Sequence, residues 1–244
     1  MTPGLNQIWV YLSASPLLWL TATLLAYQVA YAIYARCKFS PLANPVAIAV
    51  ALLVLILTVT KTPYKTYFEG AQFVHFLLGP ATVALAIPLY QQFSRLRRNW
   101  FALLSAASIG GAAAVASAMS VAWALGASRA TVLSLAPKAV TMPIAMGVSE
   151  KIGGLPSLTA VLVMVTGILG ATTARFVFDR MKIGDHGIRG FAVGVTSHGI
   201  GTARAFQVSE EMGAFAGLAM GLSGVLTALL LPLALRLLGV FSMV

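Results

Sequence analysis

Charged residues are scarce in this sequence: Asp, Glu, Lys and Arg make up 9% of its 244 residues, against roughly a quarter in soluble domains. Hydrophobic residues make up 59%, and the mean hydropathy is +0.89. This composition excludes an ordinary soluble domain and predicts a membrane protein. Cys37 is the only cysteine, which excludes an internal disulfide and any multi-cysteine metal site. We predict neither a metal site nor a cofactor.

The sequence also lacks the short motifs of common enzymes, namely GxSxG, HExxH and the Walker motif. Ser197 and His198 are adjacent, which is the wrong arrangement for a nucleophile and its base. We therefore predict that the protein is not an enzyme.

The formal net charge is +10, but the basic residues stand singly or in short clusters beside hydrophobic runs. This distribution is typical of cytoplasmic loops of inner membrane proteins, and we discount nucleic acid binding. Three clusters, at residues 36–38, 95–98 and 175–189, should face the cytoplasm, with the N-terminus outside. We predict a multi-pass protein of a bacterial inner membrane, in which the cluster at 95–98 is a topology signal and contacts lipid headgroups.

Long uncharged runs predict the membrane crossings, because about 20 residues span a hydrocarbon core of about 30 Å. The expected fold is an all-α membrane protein, a polytopic bundle of about 6–8 transmembrane helices in one integral membrane domain, 1–244. The candidate spans are 16–35, 42–60, 72–91, 100–125, 131–149, 155–178, 188–206 and 212–241.

Three of these spans carry helix-breaking residues and are predicted to be broken. Irregular backbone in a membrane is tolerated only where protein buries it or where it lines a cavity, and interrupted segments point to a transporter's binding site. Simple kinking of packed helices is the alternative. The breaking residues are Pro80 and Pro88 in the first, Pro137 and Pro143 in the second, and Gly199 and Gly201 in the third.

Topology gives a second argument for a break in the segment 131–149. Three hydrophobic segments separate the basic clusters at 95–98 and 175–189, yet an even number of crossings is needed to keep both clusters on one side. "LAPKAVTMPIAMG" is therefore expected to be re-entrant or split. Weak self-similarity further suggests inverted repeats at 17–125 and 130–241.

Two cations, Lys138 and Arg204, lie inside hydrophobic segments, where each costs about 2.5 to 3.5 kcal/mol near a helix centre. All six acidic residues lie at the edges of these runs or in loops. We expect a substrate carboxylate to be the missing partner, with the hydroxyls of Thr141, Ser197 and Thr202 as hydrogen-bond donors. Snorkelling of the two long side chains is the alternative.

His198 lies between small residues in the third broken segment. An imidazole titrates near physiological pH and is a candidate carrier of a coupling proton. A structural, hydrogen-bonded histidine is the alternative.

Three stretches of this chain together resemble the LrgB/CidB membrane protein family over roughly residues 17–240. They are "YFEGAQFVHFLLGPATVALAIPLY", "LAPKAVTMPIAMGVSEKIGGLPSLTAVLVMVTGILGA" and "RGFAVGVTSHGIGTARA". The family was named for holin-like and antiholin-like control of murein hydrolase export, usually beside a smaller LrgA/CidA partner. Its plant relatives, in which the two parts are fused, are plastidal glycolate/glycerate translocators, and bacterial pairs are implicated in pyruvate uptake. The resemblance thus implies small monocarboxylates and a separate LrgA/CidA-like partner.

We predict a secondary transporter, or a transporter subunit, for small 2-hydroxy or 2-keto monocarboxylates such as glycolate, glycerate or pyruvate. A homo-oligomer is expected. The alternative is a holin/antiholin-like regulator of murein hydrolase export and cell lysis without a transport cycle of its own. That alternative predicts that Lys138 and Arg204 matter little and that the helix face from Gly213 to Gly221 matters greatly.

Overall fold

The described residues of the chain are helical, as predicted for an all-α membrane protein. The computed structural model describes residues 16–77, 80, 83, 86–91 and 93–237, and no β-strand occurs among them. Within this part of the chain, four helices are long and apolar enough to cross a membrane: Leu17–Arg36, Trp100–Ala124, Pro156–Arg180 and Glu210–Leu237. The chain divides into two compact units, Met1–Ala84 and Leu85–Val244.

The first unit contains helices α1 (Pro16–Arg36), α2 (Pro45–Val59) and α3 (Tyr64–Phe76). The side chain of Asn44 begins α2 by accepting hydrogen bonds from the amides of Val46 and Ala47 at 2.9 and 3.3 Å, as an N-cap residue does. The rings of Trp19 and Tyr67 pack edge to face with their centroids 5.9 Å apart. This contact joins α1 to α3.

The predicted broken span 72–91 falls across the boundary between the units. Helix α3 ends at Phe76, and the next described helix, α4, covers Ala86–Gln91 and contains Pro88. Pro80 is described, but most residues between 78 and 85 are not. The predicted break around Pro80 therefore lies outside the described residues.

The second unit continues with α5 (Phe93–Arg98) and the three long helices α6 (Trp100–Ala124), α9 (Pro156–Arg180) and α11 (Glu210–Leu237). Helix α6 begins just after the basic cluster 95–98, and α9 ends at the basic cluster 175–189. Asn99, next to the first cluster, and Asp185, within the second, line one cavity, so both clusters lie at the same end, which we call the basic end of the unit. Helices α6 and α11 run away from the basic end, and α9 returns to it.

A first hairpin, hairpin I, consists of α7 (Arg129–Leu135), the non-helical residues 136–141 and α8 (Met142–Ile152). Its arms return to the same point, because Ser134 on one arm and Ser149 on the other both bond to the Thr159 hydroxyl near the start of α9. Hairpin I therefore opens at the end opposite the basic end, and residues 136–141 form its tip. The prediction that 131–149 is re-entrant or split is confirmed.

A second hairpin, hairpin II, is the helical segment α10 (His186–Val208), which breaks at His198 into arms 186–197 and 199–208. A continuous helix would separate residues 186 and 209 by about 34 Å, at about 1.5 Å per residue. Instead, His186 Nδ1 lies 2.8 Å from Ser209 Oγ. The arms therefore fold back on each other, with the mouth at the basic end and the tip at His198.

Hairpin II corrects one predicted crossing. The sequence predicts that the stretch 188–206 crosses the membrane. In the structure, this stretch begins and finishes at the basic end of the unit. The break itself falls at His198, one residue before Gly199, and Gly199 and Gly201 belong to the second arm.

The order "hairpin, long helix" occurs twice, as hairpin I with α9 and as hairpin II with α11, in opposite orientations. The predicted repeat 17–125 and 130–241 has different bounds and stays a prediction.

Candidate functional site

The tips of the two hairpins meet on the same residue of α9, Val163. From hairpin I, Val140 and Ala145 pack against the buried Val163 side chain. From hairpin II, His198 Nε2 lies 2.9 Å from the Val163 carbonyl oxygen, which accepts a hydrogen from this nitrogen. The tips thus approach each other from opposite ends of the unit.

Helix α11 borders both tips on another side. The Met220 sulfur lies 3.9 Å from the Thr202 hydroxyl oxygen of hairpin II. One turn further along α11, Gly224 leaves room for Ile144 of hairpin I, whose Cδ1 lies 2.9 Å from the place where a Cβ on Gly224 would stand. Helices α9 and α11 therefore hold the two tips together.

The backbone of His198 forms the tip of hairpin II in a conformation that L residues rarely adopt. Its φ is 40° and its ψ is −134°, and such conformations cost of order 1–3 kcal/mol and cluster at functional sites. Gly167 of α9 makes room for the ring, since a Cβ there would stand 2.7 Å from His198 Cε1. Because Nε2 donates to Val163, Nδ1 is the ring nitrogen with a free lone pair in the neutral imidazole.

Lys138 lies in the tip of hairpin I, as expected for the mid-segment cation. Its backbone amide donates to the Leu135 carbonyl at 3.2 Å, within the turn that ends α7. The side chain is half-buried, and its ammonium group makes no hydrogen bond or ion pair with any described residue. The tip of hairpin I therefore presents a cation without a carboxylate of the described chain beside it.

The second arm of hairpin I, α8, begins at this tip. Thr141 is its N-cap residue and makes no side-chain hydrogen bond to the helix, and Pro143 is in its first turn, where proline is well tolerated. Pro137, which is fully buried, lies in the non-helical tip. The amides and the partial positive charge of the α8 N-terminus thus point towards the tip of hairpin I.

The remaining predicted residues of hairpin II, apart from Arg204, are close to its tip. Ser197 is fully buried, and its hydroxyl lies 3.2 Å from that of Thr196. The Thr202 hydroxyl donates to the His198 carbonyl at 2.8 Å and so ties the second arm to the break. Gly201 allows this arm to lie against the first, since a Cβ there would stand 3.2 Å from the Val193 carbonyl oxygen.

Arg204 lies further along the second arm, towards the mouth of hairpin II. Its guanidinium donates to Gln207 Oε1 at 3.0 Å, and it lines a cavity together with Arg175 and Arg189. The predicted clamp, in which Lys138 and Arg204 hold one carboxylate, stays a prediction.

A buried hydroxyl network that was not predicted from the sequence fixes hairpin I to α9. The Thr159 hydroxyl lies 3.0 Å from the Ser134 carbonyl oxygen and 2.7 Å from the Ser149 hydroxyl. The Ser134 hydroxyl also accepts from the Leu155 amide at 2.8 Å. All three side chains are fully buried. Polar residues in otherwise apolar segments were the only signal of this network in the sequence.

Two hairpins that enter from opposite ends and meet at Val163, together with long apolar helices, define a polytopic all-α membrane protein with Lys138 in one tip and His198 in the other. The chain belongs to the LrgB-like family, whose model matches residues 23–237.

Three relatives illustrate the similarity. The uncharacterized protein YwbG of Bacillus subtilis is 34% identical over 86% of this chain and 93% of its own length. An uncharacterized protein of Haemophilus influenzae is 33% identical over 90% of this chain and 94% of its own. The antiholin-like protein LrgB of Bacillus mycoides is 29% identical over 92% of this chain and 98% of its own. No solved structure matches the chain.

Proposed function

We propose that this protein is a secondary carrier, or the carrier subunit of a two-protein system, for small 2-hydroxy or 2-keto monocarboxylates such as glycolate, glycerate or pyruvate. The observation that supports the proposal is the meeting of two oppositely inserted hairpins at Val163, one of which carries Lys138 in its tip. A cation in the membrane interior requires compensation, and a substrate carboxylate supplies it.

The two hairpins suggest how the site is reached from each side. Hairpin I extends from the meeting point of the tips to the end opposite the basic end. Hairpin II extends from that meeting point to the basic end. Movement of either hairpin away from α9 and α11 would open the site to one side only, which is the requirement of alternating access. In this proposal, both tips contact Val163 when the site is closed to both sides. One tip at a time then moves away from Val163 and opens the site to one side.

Each tip residue has a role in this mechanism. Lys138 and the N-terminus of α8 bind the carboxylate, since both favour negative charge. The hydroxyls of Thr141 and Ser197 donate to the 2-hydroxy or 2-keto oxygen, and the Thr202 oxygen, whose own hydrogen bonds to the His198 carbonyl, accepts from a 2-hydroxyl group. His198 takes up the coupling proton on Nδ1. We further propose an inner membrane location, a homo-oligomer and a small LrgA/CidA-like partner subunit.

The antiholin-like names of several relatives favour a second candidate, a regulator that works by contact with another membrane protein. Such a regulator needs an outward helix face. On α11, Gly213 is covered by Phe206 of the same chain, whereas Gly221 is exposed and a Cβ there would meet nothing within 4 Å. The face around Gly221 is therefore the part of the predicted Gly213–Gly221 stripe that is open to a partner.

Uptake of labelled glycolate, glycerate and pyruvate into proteoliposomes tests the choice between the two functions. The protein is reconstituted alone and together with an LrgA-like subunit, and empty liposomes are the control. A carrier gives saturable uptake of at least one of these acids that excess unlabelled acid competes away. Absence of saturable uptake in both reconstitutions would contradict the carrier and favour the regulator, for which Gly221→Leu would then abolish partner association.

A further inference from the structure

Three arginines line one cavity at the mouth of hairpin II. Arg175 from α9 and Arg189 and Arg204 from the two arms of hairpin II surround a volume of about 150 Å³, and the other described lining residues are apolar. The cavity lies at the basic end, where α9 ends and α11 begins. This cavity is distinct from the site at the hairpin tips, because Arg204 lies six residues, or about 9 Å of helix, beyond His198.

Asp179 lies beside this cavity and pairs with two of its arginines. It bonds to Arg189 at 2.6 Å and lies 3.6 Å from Arg175 Nε, so one carboxylate is shared by two guanidinium groups. Arg175 and Arg189 therefore keep between them one positive charge that Asp179 does not offset.

Arg189 is held in a fixed orientation. Its Nε donates to the Ile183 carbonyl at 2.6 Å, its Nη2 donates to Asp179, and its guanidinium carbon lies 5.6 Å from the centre of the Phe178 ring. A guanidinium has five N–H donors, and these two hydrogen bonds leave others for a ligand. Arg175 is 63% exposed and is able to close over a group bound beside Arg189.

We propose that this cavity binds a phosphate group, carried either by an anionic phospholipid headgroup or by free phosphate. Arginine forks match the geometry of phosphate oxygens and bind them through paired, charge-assisted hydrogen bonds. A volume of about 150 Å³ holds one such group and no bulky ligand. The inference does not depend on transport at the hairpin tips.

Binding to the purified full-length protein in a neutral detergent tests the proposal. The probes are dioctanoyl phosphatidylglycerol, with dioctanoylglycerol as its phosphate-free control, and inorganic phosphate, with chloride at equal ionic strength as its control. Titration calorimetry gives each dissociation constant for the wild type and for Arg175→Gln, Arg189→Gln and Arg180→Gln. Arg180 is exposed and does not line the cavity, so its variant removes the same charge from the same end.

We expect at least one phosphate-bearing probe to bind more tightly than its control. Arg175→Gln and Arg189→Gln should weaken that binding about tenfold or more, as loss of a charged hydrogen bond does, whereas Arg180→Gln should change it less than about twofold. Binding of phosphatidylglycerol alone identifies a lipid as the source, and binding of inorganic phosphate identifies a free anion.

Two results would overturn the proposal: neither probe exceeds its control, or Arg180→Gln weakens binding as much as Arg175→Gln. The second result would indicate a general positive surface. Arg189 is packed and paired, so thermal unfolding of each variant is compared with the wild type. If Arg189→Gln unfolds, the dissociation constant of Arg175→Gln decides the outcome, because Arg175 is exposed.

Discussion

The fold-back of hairpin II can be tested by joining its two ends with a disulfide. In a Cys37→Ser background, which removes the only native thiol, His186→Cys and Ser209→Cys place one thiol at each end. In the structure, the side chains of residues 186 and 209 approach to 2.8 Å. A continuous helix across this segment would hold them about 34 Å apart, and a disulfide requires Cβ atoms about 3.5–4.5 Å apart.

The matched control is Ser157→Cys with Arg180→Cys on α9. These exposed residues are also separated by 23 positions, but in an uninterrupted helix. Both proteins are treated with a mild oxidant, and the remaining thiols are counted by the mass added by a maleimide reagent. We expect the 186/209 protein to lose both thiols within one chain and the 157/180 protein to keep both. Retention of both thiols by the 186/209 protein would refute the hairpin.

Two further predictions concern the packing of the hairpins, and both are measured by thermal or chemical unfolding in detergent. Gly194→Ala should destabilise the protein by about 1–3 kcal/mol through overpacking, because its Cβ would collide with the backbone carbonyl of Ala216 on α11. Gly221→Ala, in open space on α11, should be neutral or stabilising by up to about 1 kcal/mol, and equal stabilities of the two variants would contradict the contact. Thr159→Val should cost roughly 1–3 kcal/mol, since it leaves buried polar groups of Ser134 and Ser149 without this partner. Thr173→Val, which loses an exposed bond to its own helix, should cost much less, and a similar loss in both variants would refute the network.

Much of the fold follows from hydrophobic runs and helix-breaking residues. The bounds of the long helices lie within a few residues of the predicted runs, because a run of apolar residues fixes the length of a membrane helix. Pro137 marked the tip of hairpin I, since a proline in a helix interior removes a hydrogen bond. The even number of crossings between two basic clusters identified the same segment independently.

The fold-back of hairpin II was not predictable in the same way. Its break lies at His198, which lacks the conformational freedom of glycine, and tertiary contacts with Val163 and Gly167 of α9 favour this conformation. For the same reason the roles of Val163 and Thr159 were missed, since an ordinary valine or threonine in an apolar run gives no signal of a tertiary contact. Lys138 was predicted from its charge and its position in a proline-flanked segment, since a cation in a membrane interior is conspicuous, and its role in binding stays a prediction.

The most direct test of the proposed site is the effect of Lys138→Gln on the initial rate of labelled carboxylate uptake at low substrate concentration. Lys151→Gln is the control, because Lys151 is an exposed cation near the mouth of the same hairpin. Loss of one charged contact to substrate, about 1.5 to 3 kcal/mol, predicts a fall of about tenfold to a hundredfold for Lys138→Gln and little change for Lys151→Gln. Wild-type uptake by a stably folded Lys138→Gln variant would contradict the binding of a carboxylate between the hairpin tips.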